Sequence, residues 1–185
     1  FVYLDKAVPG IVIELRYFGS HNFVGERVDG YGHARTVLSA PAAKALAGVQ
    51  ETLGRFGLGL KVFDAYRPQR AVDHFVRWAK NLDDRKTKAE FYPDVAKKDL
   101  FKEGYIAARS SHSRGSTVDL TIVYRDADGA VRELDMGSPF DFFSPVSWPT
   151  STVVTAQQRA NRALLQSVMT AHGFAPYDQE WWHFT

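Results

Sequence analysis

His112 and Asp119 stand seven residues apart in "SSHSRGSTVD", an imidazole in a Ser- and Gly-rich turn and a carboxylate in the strand pattern that follows. The strand fixes Asp119, and Gly115 lets the turn fold back beside it. One local unit thus offers a nitrogen and an oxygen ligand of the kind zinc accepts. A structural His–Asp hydrogen bond would use the same two residues. A second cluster is "QEWWHFT" at 179–185, where Glu180 and His183 lie three apart around two tryptophans. On a strand, positions i and i+3 point to opposite faces, so both reach one site only if Glu180 sits at a strand entry or a bulge. Otherwise the indoles are core, His183 is a satisfied half-buried group and Glu180 is solvated.

Taken together, His112, Asp119 and His183 make three protein ligands and leave a fourth tetrahedral position to water, the catalytic pattern for one zinc ion per chain. Glu180 is then a spare carboxylate, suited to take a proton from that water and hand it to a leaving amine. Amide hydrolysis follows from such a set. Arg67, in "DAYRPQR", is kept out of helical dihedrals by Pro68, and a guanidinium fixed at a strand end could stabilise an oxyanion. An ordinary surface salt bridge to Asp64 or Asp73 would account for it as well. Of the other histidines, His74 in mid-helix and His172 before a helix-ending glycine need no functional explanation, while His21 and His33 in a Gly-rich loop stay open.

The 185 residues contain no cysteine, which excludes disulfides, thiolate metal sites and a cysteine nucleophile, and leaves any metal to His, Asp or Glu. Lys plus Arg is 23 and Asp plus Glu 21, a net charge of +2 with the signs interspersed. Nucleic acid is therefore a poor partner, and no run approaches the roughly 20 apolar residues of a membrane span. The chain begins at Phe1 rather than Met, and reads as trimmed or processed, which leaves periplasm and cytoplasm both open. Oligomeric state is not written in these features.

The elements that must hold the site read as follows. Residues 39–56 predict a helix with Ser39 as N-cap, Pro41 in the first turn and Gly57 as stop. "LGLKVFDAY" suits a buried strand, and a helix follows from Pro68 to about Lys80. Residues 81–104 read as a charged excursion with one short helix. "STVDLTIVY" alternates like a half-buried strand whose polar face carries Thr117, Asp119 and Thr121, and "DADG" turns it into a hairpin with "AVRELDM". An irregular Pro-containing loop spans 138–149. Thr155 and Gln158 form a capping box for a helix with Leu164, Leu165, Val168 and Met169 on its apolar face, ended by Gly173. "FAPYDQEWWHF" closes as a strand or strand pair. The sum is a single α+β domain over residues 1–185, with helices packed on a small central antiparallel sheet.

The stretches "NFVGERVDGY", "DAYRPQRAV", "SSHSRGSTVDLT", "MGSPFDF" and "EWWHF" together resemble the zinc D-alanyl-D-alanine dipeptidases, the VanX-type branch of the D-Ala-D-Ala metallopeptidases. The likeness runs from about Leu4 to the end. His-x6-Asp followed by Glu-x-x-His marks the larger bacterial family, and "NFVG", "SHSRGS" and "FDF" point to the dipeptidase branch. The resemblance implies zinc on His112, Asp119 and His183, Glu180 as general base and then acid, and Arg67 stabilising the transition state. It further implies that Asp141 holds the free ammonium of the dipeptide D-Ala-D-Ala, with Tyr17 beside it and Ser110 near the substrate carboxylate. A D,D- or L,D-carboxypeptidase acting on longer peptidoglycan stems, or a zinc-containing cell-wall peptide binder, are the alternatives. The sequence departs from the family in stopping two residues after "WWH" and in the Pro-rich stretch 141–149, which bears on acceptance of the second residue.

Overall fold

The computed structural model describes residues 1–185. Strand β1 (Val2–Tyr3) and helix α1 (Leu4–Ala7) open the chain, followed by β2 (Val12–Ile13), β3 (Val37–Leu38) and helix α2 (Ala40–Gly54). Then come β4 (Leu58–Asp64), α3 (Gln69–Lys80), the short α4 (Lys88–Phe91), β5 (Val118–Arg125) and β6 (Val131–Glu133). Helix α5 (Ala156–Ala171) and the strand pair β7 (Pro176–Tyr177) and β8 (Glu180–Phe184) complete it. The main sheet runs β2-β4-β5-β8-β7, with β6 also paired to β5, while β1 and β3 form a separate pair. All pairings are antiparallel except that of β2 with β4. The expected α+β fold is therefore present, with one parallel edge.

Helices α2 and α5 pack on each other, α2 against β4 and α5 against β8. On α2 the buried residues are Ala43, Leu46, Val49 and Leu53, at the spacing of one helical face. Ser39 occupies the cap position, but its side chain makes no cap bond. Pro41, in the first turn, has no N–H to offer it. On α5 the capping box is complete: Gln158 N donates to Thr155 Oγ1 at 3.3 Å and Thr155 N donates to Gln158 Oε1 at 2.8 Å. Thr155→Ala should therefore cost about 1 kcal/mol, read as a lower urea midpoint with an unchanged slope.

Two expectations about burial are corrected. Strand β5 is buried on both faces from Val118 to Val123, not on one, and Thr117, Asp119 and Thr121 are all enclosed. On α5 the inward stripe is Asn161, Arg162, Leu165, Val168 and Met169, whereas Leu164 is exposed. One helical step of 100° carries Leu164 off the face that Leu165 occupies, and two polar residues take the inward places instead.

Sheet register sets the site. Directly paired residues of neighbouring strands share a face, and Asp119 of β5 pairs with His183 of β8 on one side and Asp64 of β4 on the other. The β4–β5 pairing shifts between Val62 and Asp64, which turns Asp64 onto that face.

Candidate active site

His112 lies in the 3-10 turn Ser111–Arg114, whose end is made by Gly115 in the left-handed region at φ 77°. Ser110 caps this turn, its Oγ accepting from His112 N at 3.3 Å. The imidazole is fully buried, and its Nδ1 donates to the Ala65 carbonyl at 2.7 Å. That bond fixes the tautomer, leaving Nε2 unprotonated and aimed at Asp119 Oδ2, 3.2 Å away. His183 Nδ1 lies 3.1 Å from Asp119 Oδ1 and 3.4 Å from His112 Nε2. The outer nitrogen of His183, Nε2, is 3.4 Å from Ser111 Oγ.

These three residues bring one donor atom each to within 4.8 Å of one another, and the group could hold a metal ion. The donor set is two imidazole nitrogens and a carboxylate oxygen, which suits a borderline cation such as zinc. A further observation favours a cation there: Asp119 Oδ1 is buried without a hydrogen bond, even from the nearby His183 nitrogen. Buried carboxylate oxygens are normally paired, so this one is arranged for something other than a proton donor. Burial pushes the Asp119 carboxyl up, and His112 and His183 more than offset it, holding the group below the ordinary carboxylate range.

Glu180 is the first residue of β8, beside the irregular β7–β8 pairing in which Tyr177 faces Glu180 but Pro176 faces Phe184. The strand entry resolves the i, i+3 difficulty, since Glu180 Oε2 comes within 3.5 Å of His183 Nδ1. Burial raises its carboxyl to about 7, despite the lowering effect of His183. Trp181 and Trp182 are buried core, as the sequence suggested.

Arg67 is not on the surface. It sits between β4 and α3, donates from Nε to Asp64 Oδ2 at 2.8 Å and from Nη2 to Asp119 Oδ2 at 3.3 Å. Asp64 is fully buried and also accepts from Tyr31 OH at 2.7 Å. Asp64 and Tyr31 were not singled out as site residues; the pair is 33 positions apart in sequence, and only the folded chain shows that Asp64 orients a buried guanidinium. Tyr17 donates from its hydroxyl to Asp141 Oδ2 at 2.8 Å, both side chains being buried. Asp141 has no cationic partner, and its φ of 61° makes it the one non-glycine residue in the left-handed region. Such strain concentrates at functional sites. Burial raises the Asp141 carboxyl well above its ordinary value, with Asp119 adding to the effect.

All eight residues line one cavity of about 380 Å³: Tyr17, Arg67, Ser110, His112, Asp119, Asp141, Glu180 and His183. Its size is that of a small-molecule site. Arg109 and Tyr105 line it as well, the first a cation and the second stacked on Phe143 with ring centroids 5.0 Å apart; neither stood out in the sequence.

The sequence profile of the peptidase M15 family, described as D-ala-D-ala dipeptidase, matches residues 1–185. The chain belongs to this family. Among curated relatives, a D-alanyl-D-alanine dipeptidase of Streptomyces coelicolor is 43% identical over 185 residues, covering 100% of this chain and 90% of the relative. One of Enterococcus faecalis is 39% identical over 184 residues, again covering 100% and 90%. One of Escherichia coli is 35% identical over 183 residues, covering 98% of this chain and 82% of that protein. Family membership makes the chain a peptidase, and the cavity is where its chemistry converges. No helix is long and apolar enough to cross a membrane.

Proposed function

We propose that the protein hydrolyses D-Ala-D-Ala to two D-alanines, with His112, Asp119 and His183 holding one zinc ion. Bound there, zinc supplies Lewis-acid activation of water and of the scissile carbonyl. Glu180 removes a proton from the attacking water and returns it to the leaving amine nitrogen. A carboxyl raised to about 7 by burial suits both halves of that transfer. The charge of a bound dication would draw it down and keep it a base at neutral pH. Arg67, already clamped by Asp64, stabilises the oxyanion without reorganising. Tyr17 orients Asp141 toward the substrate ammonium, and Ser110 lies at the carboxylate end.

The observation that carries the dipeptide reading is Asp141, a strained, buried carboxylate with a phenol donor but no cation, in the same cavity as the histidines. A free ammonium completes it; an acylated stem peptide would leave it unpaired, at about 1–3 kcal/mol or more. D-Ala-D-Ala should thus be cleaved with kcat/KM about 10- to 100-fold above N-acetyl-D-Ala-D-Ala, the equivalent of that penalty. Release of D-alanine is measured from both and from a stem pentapeptide, with and without a chelator. Equal cleavage of the acylated substrates would favour a carboxypeptidase, and full turnover after metal removal would sink the zinc mechanism.

A further inference from the structure

Arg162 is an arginine on α5 with only 3% of its surface exposed, and none of its bonding partners is a carboxylate. Its Nε donates to the Met136 carbonyl at 2.6 Å, and its Nη1 to the carbonyls of Val146 at 2.9 Å and Trp148 at 2.8 Å. Nη2 reaches Ser138 Oγ at 3.4 Å. Burial pulls the guanidinium down to about 10, which leaves it charged at neutral pH. A buried charge bonded to neutral carbonyls is costly to retain unless something requires it. The segment it grips at both ends, 136–148, is the loop that carries Asp141.

The proton directions inside this loop are determined. Ser147 Oγ donates to the Phe142 carbonyl at 2.6 Å, so Ser138 must donate its own proton to Ser147, 2.9 Å away. Ser138 Oγ then has only acceptor capacity left, and it accepts from Arg162 and from Trp181 Nε1 at 3.0 Å. A directed relay therefore runs from the guanidinium to the residue next to Asp141, and Trp181 ties it to the strand bearing Glu180 and His183. A non-glycine residue in the left-handed region persists only where its surroundings over-determine it. No loop-spanning cation other than Arg162 is bonded to this segment.

We propose that Arg162 is a positioning residue for substrate selection: it clamps the Met136–Trp148 loop so that Asp141 is presented, in its strained conformation, to the ammonium of the dipeptide. This rests on the reading of Asp141 as the ammonium site, and the test separates the two. The readout is the ratio of kcat/KM for D-Ala-D-Ala to that for N-acetyl-D-Ala-D-Ala in zinc-loaded protein, with circular dichroism and zinc content as controls. Asp141→Asn collapses the ratio if the ammonium reading holds; if it does not, that reading fails and Arg162 is not implicated. Arg162→Met lowers the ratio by about 10- to 100-fold, as expected when a binding group shifts by about 1 Å. The loss falls on KM for the free dipeptide rather than on kcat. Arg162→Lys recovers part of it. A wild-type ratio in folded Arg162→Met, or equal losses on both substrates, overturns the proposal. Should Arg162→Met fail to fold, Ser147→Ala cuts the relay without touching a buried charge: a lowered ratio supports the clamp and an unchanged ratio overturns it.

Discussion

Glu180→Ala keeps its metal, near one ion per chain, while its rate on D-Ala-D-Ala falls by about 10²–10⁴, the usual share of general acid–base catalysis. Metal retention is expected because the three donors of His112, Asp119 and His183 converge on one another without Glu180. The Glu180 carboxylate stands 3.5 Å from His183 at the edge of that group, at a strand entry that puts it on the cavity wall. Removing it leaves the ligands, the oxyanion-stabilising Arg67 and the Asp141 end in place, so substrate still binds and KM moves far less than kcat. Metal analysis after dialysis and steady-state rates decide the matter together. Loss of metal alongside rate would make Glu180 a ligand and would leave the chain without its proton carrier.

What could be read from the chain was what is local. His112 and Asp119 share one turn-and-strand unit, and Gly115 announces the fold-back, so their meeting needed no long-range information. Glu180 and His183 were legible as a pair only through a conflict: their spacing contradicts a regular strand, and the strand entry at Glu180 is the answer. Asp64 shows the opposite case. Next to Arg67 it looks like half of a surface ion pair, and its importance arises from β4–β5 register and from Tyr31, which local pattern does not encode.

Polar residues placed inward defeat pattern reading in a consistent way. A Thr-Asp-Thr alternation on β5 implies solvent on one face, yet that face is the floor of the site. On α5, Asn161 and Arg162 look like the solvated side and are buried, which is why Leu164 was misassigned. In both places the hydrophobic period is overridden where polar groups hold something: donor atoms on β5, a loop on α5.

Asp119→Asn should lose the metal through dialysis and lose activity by more than Glu180→Ala does. The substitution conserves shape, so packing of the buried β5 strand is kept. It removes the one negative charge that faces both imidazoles, at 3.2 and 3.1 Å, and replaces it with a dipole whose amide protons would oppose a cation. Arg67 also loses one of its two carboxylate partners and is left with Asp64. The ligand set becomes neutral, and the oxyanion site loosens at the same time. Far-ultraviolet circular dichroism close to wild type, with metal content and turnover both lost, is the expected result. An Asp119→Asn protein that retains its ion and its rate would show that the carboxylate is not a ligand, and that its unbonded oxygen serves some other purpose.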